Sequence, residues 1–370
     1  MSPELKAKIQ VLFNSLNQGL VEREAILKTA LLTVLAGENL LLIGPPGTAK
    51  SLIARRIAQT LTTDDNSSSY FEYLLTKFST PEEIFGPLSI TALKADCVKR
   101  NTAGYLPTVR IAFLDEIFKA SSSILNALLT ILNERIYHNG AVQQPVPMQA
   151  LIAASNELPT GQEELSALYD RFLVRVFIDY VSLDSLPQLF EATPEQANVI
   201  PFTADELDDI KNTAKKVTIP PEIVQAIQQI WQKHRDIFKE DRREQLSDRR
   251  LKKVIKLLSV AAATNGRNEV NLSDVFLLKD CLWNHPDNAM KVREMIKVVL
   301  QGFSYEVQSE ANYIVAPDCT VIVVSEDISG TIKHTSSVWS ELIQSVQHKT
   351  EKQNAPYDLL TQQIRANIWL

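Results

Sequence analysis

The chain has 370 residues, 45% of them hydrophobic and 22% charged, with 38 basic against 44 acidic side chains for a formal net charge of −6. This is the balance of a globular protein with room for two or three domains, and the acidic excess disfavours a broad nucleic-acid-binding surface. No apolar run is long enough to span a membrane, the opening MSPELKAKIQ lacks a signal-peptide core, and Cys97, Cys281 and Cys319 are far apart without metal-ligand spacing, so a cytoplasmic protein with reduced thiols and no zinc site is expected.

In chain order, Leu5, Ile9, Leu12, Phe13 and Leu16 lie on one helical stripe ended by Gly19, and 22–36 reads as a second helix closed by Gly37. Leu40 to Ile43 is a buried strand that breaks at Gly44-Pro45-Pro46-Gly47. Lys50-Ser51 then opens a helix carrying Leu52, Ile53, Ile57 and Leu61. Strand, glycine-rich turn, Lys-Ser and helix are the parts of a phosphate-binding loop. A helix start offers unpaired N–H groups and a partial positive charge, and small residues let that backbone wrap a phosphate chain. Lys50 adds a point charge for the terminal phosphates, and the Ser51 hydroxyl suits Mg2+. The general pattern has glycine where this chain has Ala49, which is small enough for the loop to survive.

Residues 62–69 (TTDDNSSS) read as a polar connection, 70–75 as a strand, and Ser79-Thr80-Pro81-Glu82-Glu83 as a helix start. The stretch 88–104 fits a hairpin or an irregular insertion. RIAFLDE, 110–116, is a buried strand with Asp115 and Glu116 at its carboxyl end, where open α/β sheets bind ligands. That position suits an Asp turned toward Mg2+ and a Glu polarising water; without the upstream loop, the same pattern is equally a strand ending in solvated acids. Ser121-Ser122-Ser123 caps a helix through Glu134, and Asn139-Gly140 turns a hairpin between 135–138 and 141–144. A buried strand from Met148 to Ala154 ends at Ser155-Asn156-Glu157, followed by helix over 164–171 and strand over 172–178. Strands alternating with helices predict a parallel sheet in a three-layer α/β sandwich over 1–181. From Ser182 the strand signals stop. Helices are expected over 183–190, 204–217, 221–234, 247–263 and 272–282, making a helical second domain at 182–301. A small α/β segment, 302–370, has a strand-like run at 319–324 and helical patterns at 337–346 and 357–368, and its apolar ending reads as part of a longer domain.

GPPGTAKS, FLDE, ASNE, LYDRF and SDRR, in this order, resemble the MoxR family of AAA+ ATPases over roughly residues 5–295. FSTPEEIFGPLSI, GYLP, FLDEI, ASNELP and ALYDRF look most like its RavA (regulatory ATPase variant) group. The resemblance implies an AAA+ P-loop αβα core followed by an α-helical lid, with ATP or ADP and Mg2+ as ligands. Gly44, Gly47, Thr48, Ala49, Lys50, Ser51 and Leu52 would form the Walker A loop, and alanine before the lysine is similar to what the family carries. Ser51 and Asp115 would serve Mg2+, Asp115 through water, and Glu116 would activate the attacking water. Asn156 matches sensor 1. Arg171, in Asp170-Arg171-Phe172, matches an arginine finger for ATP on a neighbouring subunit, with Arg135 and Arg175 as rivals. Arg249 matches sensor 2, with Arg250 beside it on another helix face. Val21 matches an apolar position lining the adenine pocket.

The family further implies a hexameric ring, a partner with a von Willebrand factor A domain, and chaperone-like remodelling or maturation of protein complexes. Two other readings are a nucleotide-gated scaffold with slow hydrolysis and a DNA-dependent ATPase related to minichromosome-maintenance helicases, which the acidic charge disfavours.

Overall fold

The computed structural model describes residues 3–61, 70–156, 167–191, 199–311, 313–315 and 321–323. Helix α1 (Pro3–Asn17) buries the predicted stripe, Leu5 through Leu16. Helix α2 (Glu24–Leu35) starts two residues later than its pattern suggests, because Glu22 takes a left-handed φ of 55° and Arg23 becomes the N-cap. Strand β1 (Leu40–Ile43) and helix α3 (Lys50–Ala58) follow, then β2 (Tyr70–Leu74). Helix α4 (Pro81–Phe85) opens on a reciprocal capping box between Thr80 and Glu83, with proline in its first turn. The ambiguous stretch 88–104 contains a short helix, α5 (Ile90–Leu93), and a single bridge between Leu88 and Arg100.

Strand β3 (Ile111–Asp115) and helix α6 (Ser122–Glu134) lead into a hairpin, β4 (Ile136–Asn139) and β5 (Val142–Pro145), turned at Gly140. Strands β6 (Ala150–Ser155) and β7 (Val174–Phe177) complete a five-stranded sheet of order β2-β3-β6-β1-β7. Every pairing in it is parallel. The central strands β1 and β6 are buried at every residue, as expected of a sheet covered on both faces. Because all five strands run the same way, their carboxyl ends share one edge of the sheet and their amino ends the other.

The remaining described residues are mainly helical: α7 (Leu186–Glu191), α8 (Ala204–Ala214), α9 (Pro221–Ile237), α10 (Asp248–Thr264), α11 (Leu272–Val275) and α12 (Ala289–Ala311). The helix expected over 272–282 breaks after Val275 into a tighter 3-10 turn, Phe276–Asp280, which brings Trp283 against the sheet edge; its ring stacks on Phe177 at 5.1 Å. Helix α12 was not expected, and it runs on through Gly302. A short antiparallel hairpin, β8 (Tyr313–Val315) and β9 (Val321–Val323), follows. The connection expected over 62–69, the start of the helix expected over 164–171, and the helices expected at 337–346 and 357–368 lie outside the described residues.

The helical part is held to the sheet by charge as well as packing. Lys253 and Lys256 of α10 reach Glu38, just before β1, at 2.8 and 3.5 Å, and Lys8 of α1 pairs with Glu206 of α8 at 2.6 Å.

Candidate functional site

The loop between β1 and α3 is shaped by three backbone constraints. Gly44 has no room for a side chain, since a Cβ there would lie 1.9 Å from the Ile178 carbonyl oxygen. Gly47 is held at φ +80° with open space around it, so only its backbone conformation demands glycine. Ala49, the N-cap of α3, takes φ 69° and ψ 22°. That is the left-handed region for a residue with a Cβ, and it explains why the general pattern prefers glycine there. The first N–H groups of α3, on Lys50, Ser51 and Leu52, have no partner within the helix and face the loop. Thr48 turns inward, donating its hydroxyl to the Pro45 carbonyl at 2.9 Å, while Ser51 and Leu52 are half-buried.

Lys50 is only 6% exposed. Its ammonium donates to the Gly44 and Pro45 carbonyls at 2.7 and 2.8 Å and to Asn156 Oδ1 at 2.7 Å. Burial lowers its pKa from the ordinary value, and the charges of Asp115 and Glu116 act in the opposite sense. Asn156, at the carboxyl end of β6, donates its other side-chain group to Glu116 Oε1 at 2.5 Å. One amide thus bridges the lysine of the loop and the glutamate after β3. Glu116 is buried at 7% exposure, adopts a left-handed φ of 53°, and also pairs with Lys119 at 3.3 Å. Asp115 is half-buried and accepts from the Glu116 N–H at 2.9 Å. Two left-handed non-glycine residues in one small site, Ala49 and Glu116, are the kind of strain that clusters where function fixes the backbone.

Sequence reasoning missed Arg23. Its guanidinium is 6% exposed and donates to three carbonyls: Thr48 in the loop at 3.3 Å, Asp179 after β7 at 2.6 Å, and Glu22 at 3.1 Å. Glu22 beside it accepts from the Ser182 N–H at 2.9 Å and from the Ser182 hydroxyl. Hydrogen bonds from Ser182 hold the Glu22 carboxyl down to about 2. Val21, 8% exposed, immediately precedes the Glu22-Arg23 pair. The only sequence signal was the pairing of opposite charges at the start of a helix, which is usually a solvated pair.

The arginines lie elsewhere. Asn39, just before β1, donates to the Arg171 carbonyl at 3.1 Å, which fixes Arg171 at the amino edge of the sheet. The loop is at the carboxyl edge, five residues further along β1, or roughly 16 Å at a strand's rise. Arg171 therefore cannot reach the loop of its own chain. Arg250 is 3% exposed and committed to Asp170 Oδ1 at 2.6 Å and Asn284 Oδ1 at 2.5 Å, whereas Arg249 is exposed on the first turn of α10 at the same edge. Arg175 is wholly buried, stacked 4.1 Å over Tyr169 and donating to the Trp283 and Tyr169 carbonyls. Burial, and then the nearby Arg250, lower its pKa. Arg135 is largely enclosed against the Gly37 and Gln149 carbonyls, each at 3.4 Å. Neither rival is free to extend.

The donor set fits a nucleotide with Mg2+. Ser51 and Asp115 supply hard oxygen donors, and among the described residues no three His, Cys, Asp or Glu side chains gather as a protein-only metal cage. Mg2+ at phosphate sites uses one or two carboxylates, waters and the phosphates themselves, so this sparse set is the appropriate one. Nucleotide binding and hydrolysis by the AAA+ class is the chemistry defined by this edge, the α/β core and the helical lid. A family model for the MoxR domain in MoxR-vWA-beta-propeller ternary systems matches residues 7–214, and an AAA lid domain matches residues 222–296. The chain belongs to the MoxR family of AAA+ ATPases.

Two uncharacterized proteins of Methanocaldococcus jannaschii are similar to it. One is 39% identical over 84% of this chain and 79% of its own, the other 42% identical over 79% and 76%. A crystal structure of a candidate ATPase from Cytophaga hutchinsonii superposes with a TM-score of 0.62, covering 80% of this chain and 94% of that one at 19% identity, a likeness of fold alone. Among the described residues no helix is long and apolar enough to cross a membrane.

Proposed function

We propose that the chain hydrolyses Mg2+-ATP at a site shared between neighbouring copies in a ring, and uses the cycle to remodel or mature partner protein complexes. The observation that carries this reading is the Asn156 bridge between Lys50 and Glu116, which joins loop, β6 and β3 into one edge. In this reading Gly44, Gly47, Thr48, Ala49 and Leu52 cradle the phosphates with Lys50, and Val21 borders the base. Ser51 and Asp115 hold Mg2+, which when bound neutralises charge on the phosphates. Glu116 orients and deprotonates the attacking water, and Asn156 keeps Glu116 and Lys50 in register. Arg171 and Arg249, at the amino edge, serve the nucleotide of the adjacent copy. An arginine supplied this way is worth roughly 10³ to 10⁵ in rate.

A head-to-tail interface of this kind closes into a ring when its rotation permits, and a hexamer is the form the family suggests. The matching family is named for systems with a von Willebrand factor A protein and a β-propeller protein, so partners of those two folds are the first to test. Placement within the RavA group and a cytoplasmic location belong to the same proposal, as does the division at 1–181, 182–301 and 302–370.

The test is complementation in trans. Glu116→Gln should bind ATP, assemble and hydrolyse almost nothing. Lys50→Ala and Arg171→Ala should each be nearly inactive alone. When they are mixed in equal amounts, about a quarter of random interfaces pair an intact loop with an intact arginine. ATPase activity should recover toward that fraction of wild type, in step with assembled mass. No recovery on mixing, with assembly intact, would place the arginine in the same chain as its loop and sink the shared site.

A further inference from the structure

Asp170 binds two arginines at once. Its Oδ2 accepts from Nη1 of Arg171, the next residue, at 3.0 Å, and its Oδ1 accepts from Nη2 of Arg250 at 2.6 Å. Arg250 belongs to α10, and its other amino nitrogen is held by Asn284 Oδ1 at 2.5 Å. Asn284 is fixed in turn by the Glu244 carboxylate at 2.7 Å and the Arg243 carbonyl at 2.8 Å. The Arg250 guanidinium is therefore part of the helical domain's frame, and it moves only if that domain moves. Arg171 is pinned at its carbonyl by Asn39, and its side chain, 21% exposed, lies back against Asp170.

A carboxylate carries one charge. Shared by two guanidiniums, it holds each less firmly than it would hold one alone. With α10 docked, Arg250 takes the shorter bond and Arg171 the longer. With α10 withdrawn, the whole carboxylate would fall to Arg171, and a phosphate on the adjacent copy would have to compete with it.

We propose that Asp170 is a positioning residue: through Arg250 it lets docking of the helical domain in one subunit release Arg171 toward the nucleotide of the next. This rests on the reading of Arg171 given above.

The measurement is steady-state ATP hydrolysis at a protein concentration that saturates assembly, with kcat and KM resolved and thermal midpoints recorded for each variant. Asp170→Asn keeps the shape and removes the charge, and at 43% side-chain exposure the position tolerates it. It should raise kcat about two- to five-fold, the range of a partly exposed ion pair, with KM for ATP unchanged. Arg250→Gln should lower kcat by a similar factor, and adding Asp170→Asn to it should reverse the loss. In an Arg171→Ala background the gain from Asp170→Asn should vanish. A fall in kcat on Asp170→Asn, equal with and without Arg171, would make Asp170 a structural residue and overturn the proposal. If Arg171→Ala itself leaves kcat unchanged, the reading of Arg171 as a shared catalytic group falls, and this proposal with it. That outcome is distinguishable because it appears in the single variant.

Discussion

Replacing Arg23 with methionine tests the least legible part of the site. Methionine fills most of the volume and removes the fork. Of the three bonds lost, the one to Glu22 at 3.1 Å falls within the ordinary range, the one to Asp179 at 2.6 Å is short, and the one to Thr48 at 3.3 Å is longer than usual. Bonds from a charged donor contribute about 1.5–3 kcal/mol each, so the two shorter ones are worth roughly 3–6 kcal/mol. Against this stands the cost of burying a guanidinium at 6% exposure on carbonyls alone, which is several kcal/mol. The difference is small, about 1–2 kcal/mol of stability, and at roughly 2–4 °C per kcal/mol the thermal midpoint should fall by about 2–8 °C.

Nucleotide binding should suffer separately. Without the Thr48 anchor, binding must order the loop, at about 1–2 kcal/mol for one residue's backbone. The Kd for ATP should rise about five- to thirty-fold, read by calorimetry on folded protein below its midpoint. A normal Kd in Arg23→Met, whatever the midpoint does, would mean that the loop is shaped without Arg23 and that the residue only ties down the connection after β7.

Other outcomes follow from the same geometry. Gly44→Ala should abolish ATP binding and cost several kcal/mol in a denaturation series, because its Cβ would meet the Ile178 carbonyl at 1.9 Å. Ala49→Gly should leave stability within about 1 kcal/mol, since relief of a left-handed alanine offsets the entropy of a freer unfolded chain; a loss well beyond that would show that the alanine is not strained. Glu22→Gln probes the pH dependence of the clamp. The folded carboxyl is depressed from its ordinary 4.5 to about 2, so its contribution is present above 4.5 and is lost as pH falls toward 2. Wild type and variant should therefore differ in thermal midpoint at pH 6 and converge near pH 2; a constant offset across that range would remove the carboxylate from the account.

The loop and the acids were legible because their signals are local. Four apolar residues, Leu40 to Ile43, then glycines and prolines, then Lys-Ser, can hardly be read another way. The alternation of strands and helices likewise pointed to the parallel sheet. What stayed hidden depends on contacts between distant residues. Arg23 looks like one half of a surface Glu-Arg pair, and only the fold puts the Thr48 and Asp179 carbonyls within its reach. The adjacent arginines 249 and 250 could be placed on different helix faces, but only the fold shows that a partner 80 residues away buries Arg250 and leaves Arg249 exposed. The break after Val275 had no glycine or proline to announce it; it arises where Trp283 must turn onto Phe177. Helix α12 carries apolar residues at helical spacing, but Asn284-His285-Pro286 just before it has the composition of a loop and masks its start.

The helical domain is tied to both edges of the sheet, and this is where the parts join into a mechanism. At the carboxyl edge, one guanidinium, Arg23, holds the loop at Thr48 and the outgoing connection at Asp179, while Glu22 holds that connection again at Ser182. At the amino edge, roughly 16 Å away, Asp170 and Glu38 hold α10 through Arg250 and Lys253. A displacement of the loop is thus carried into the connection by a residue that bonds to both. The helical domain is packed too tightly to absorb it, because α10 buries Val254, Leu257, Leu258 and Val260 through Ala263. The place where such a motion can be expressed is the other end, where the contacts are ionic and partly solvated. There the group it bears on is Arg171, which faces away from its own loop. Should Arg171 serve a neighbouring copy, as proposed above, no separate transmission element is needed, because α10 is already joined to Arg171 through Arg250 and the shared Asp170 carboxylate.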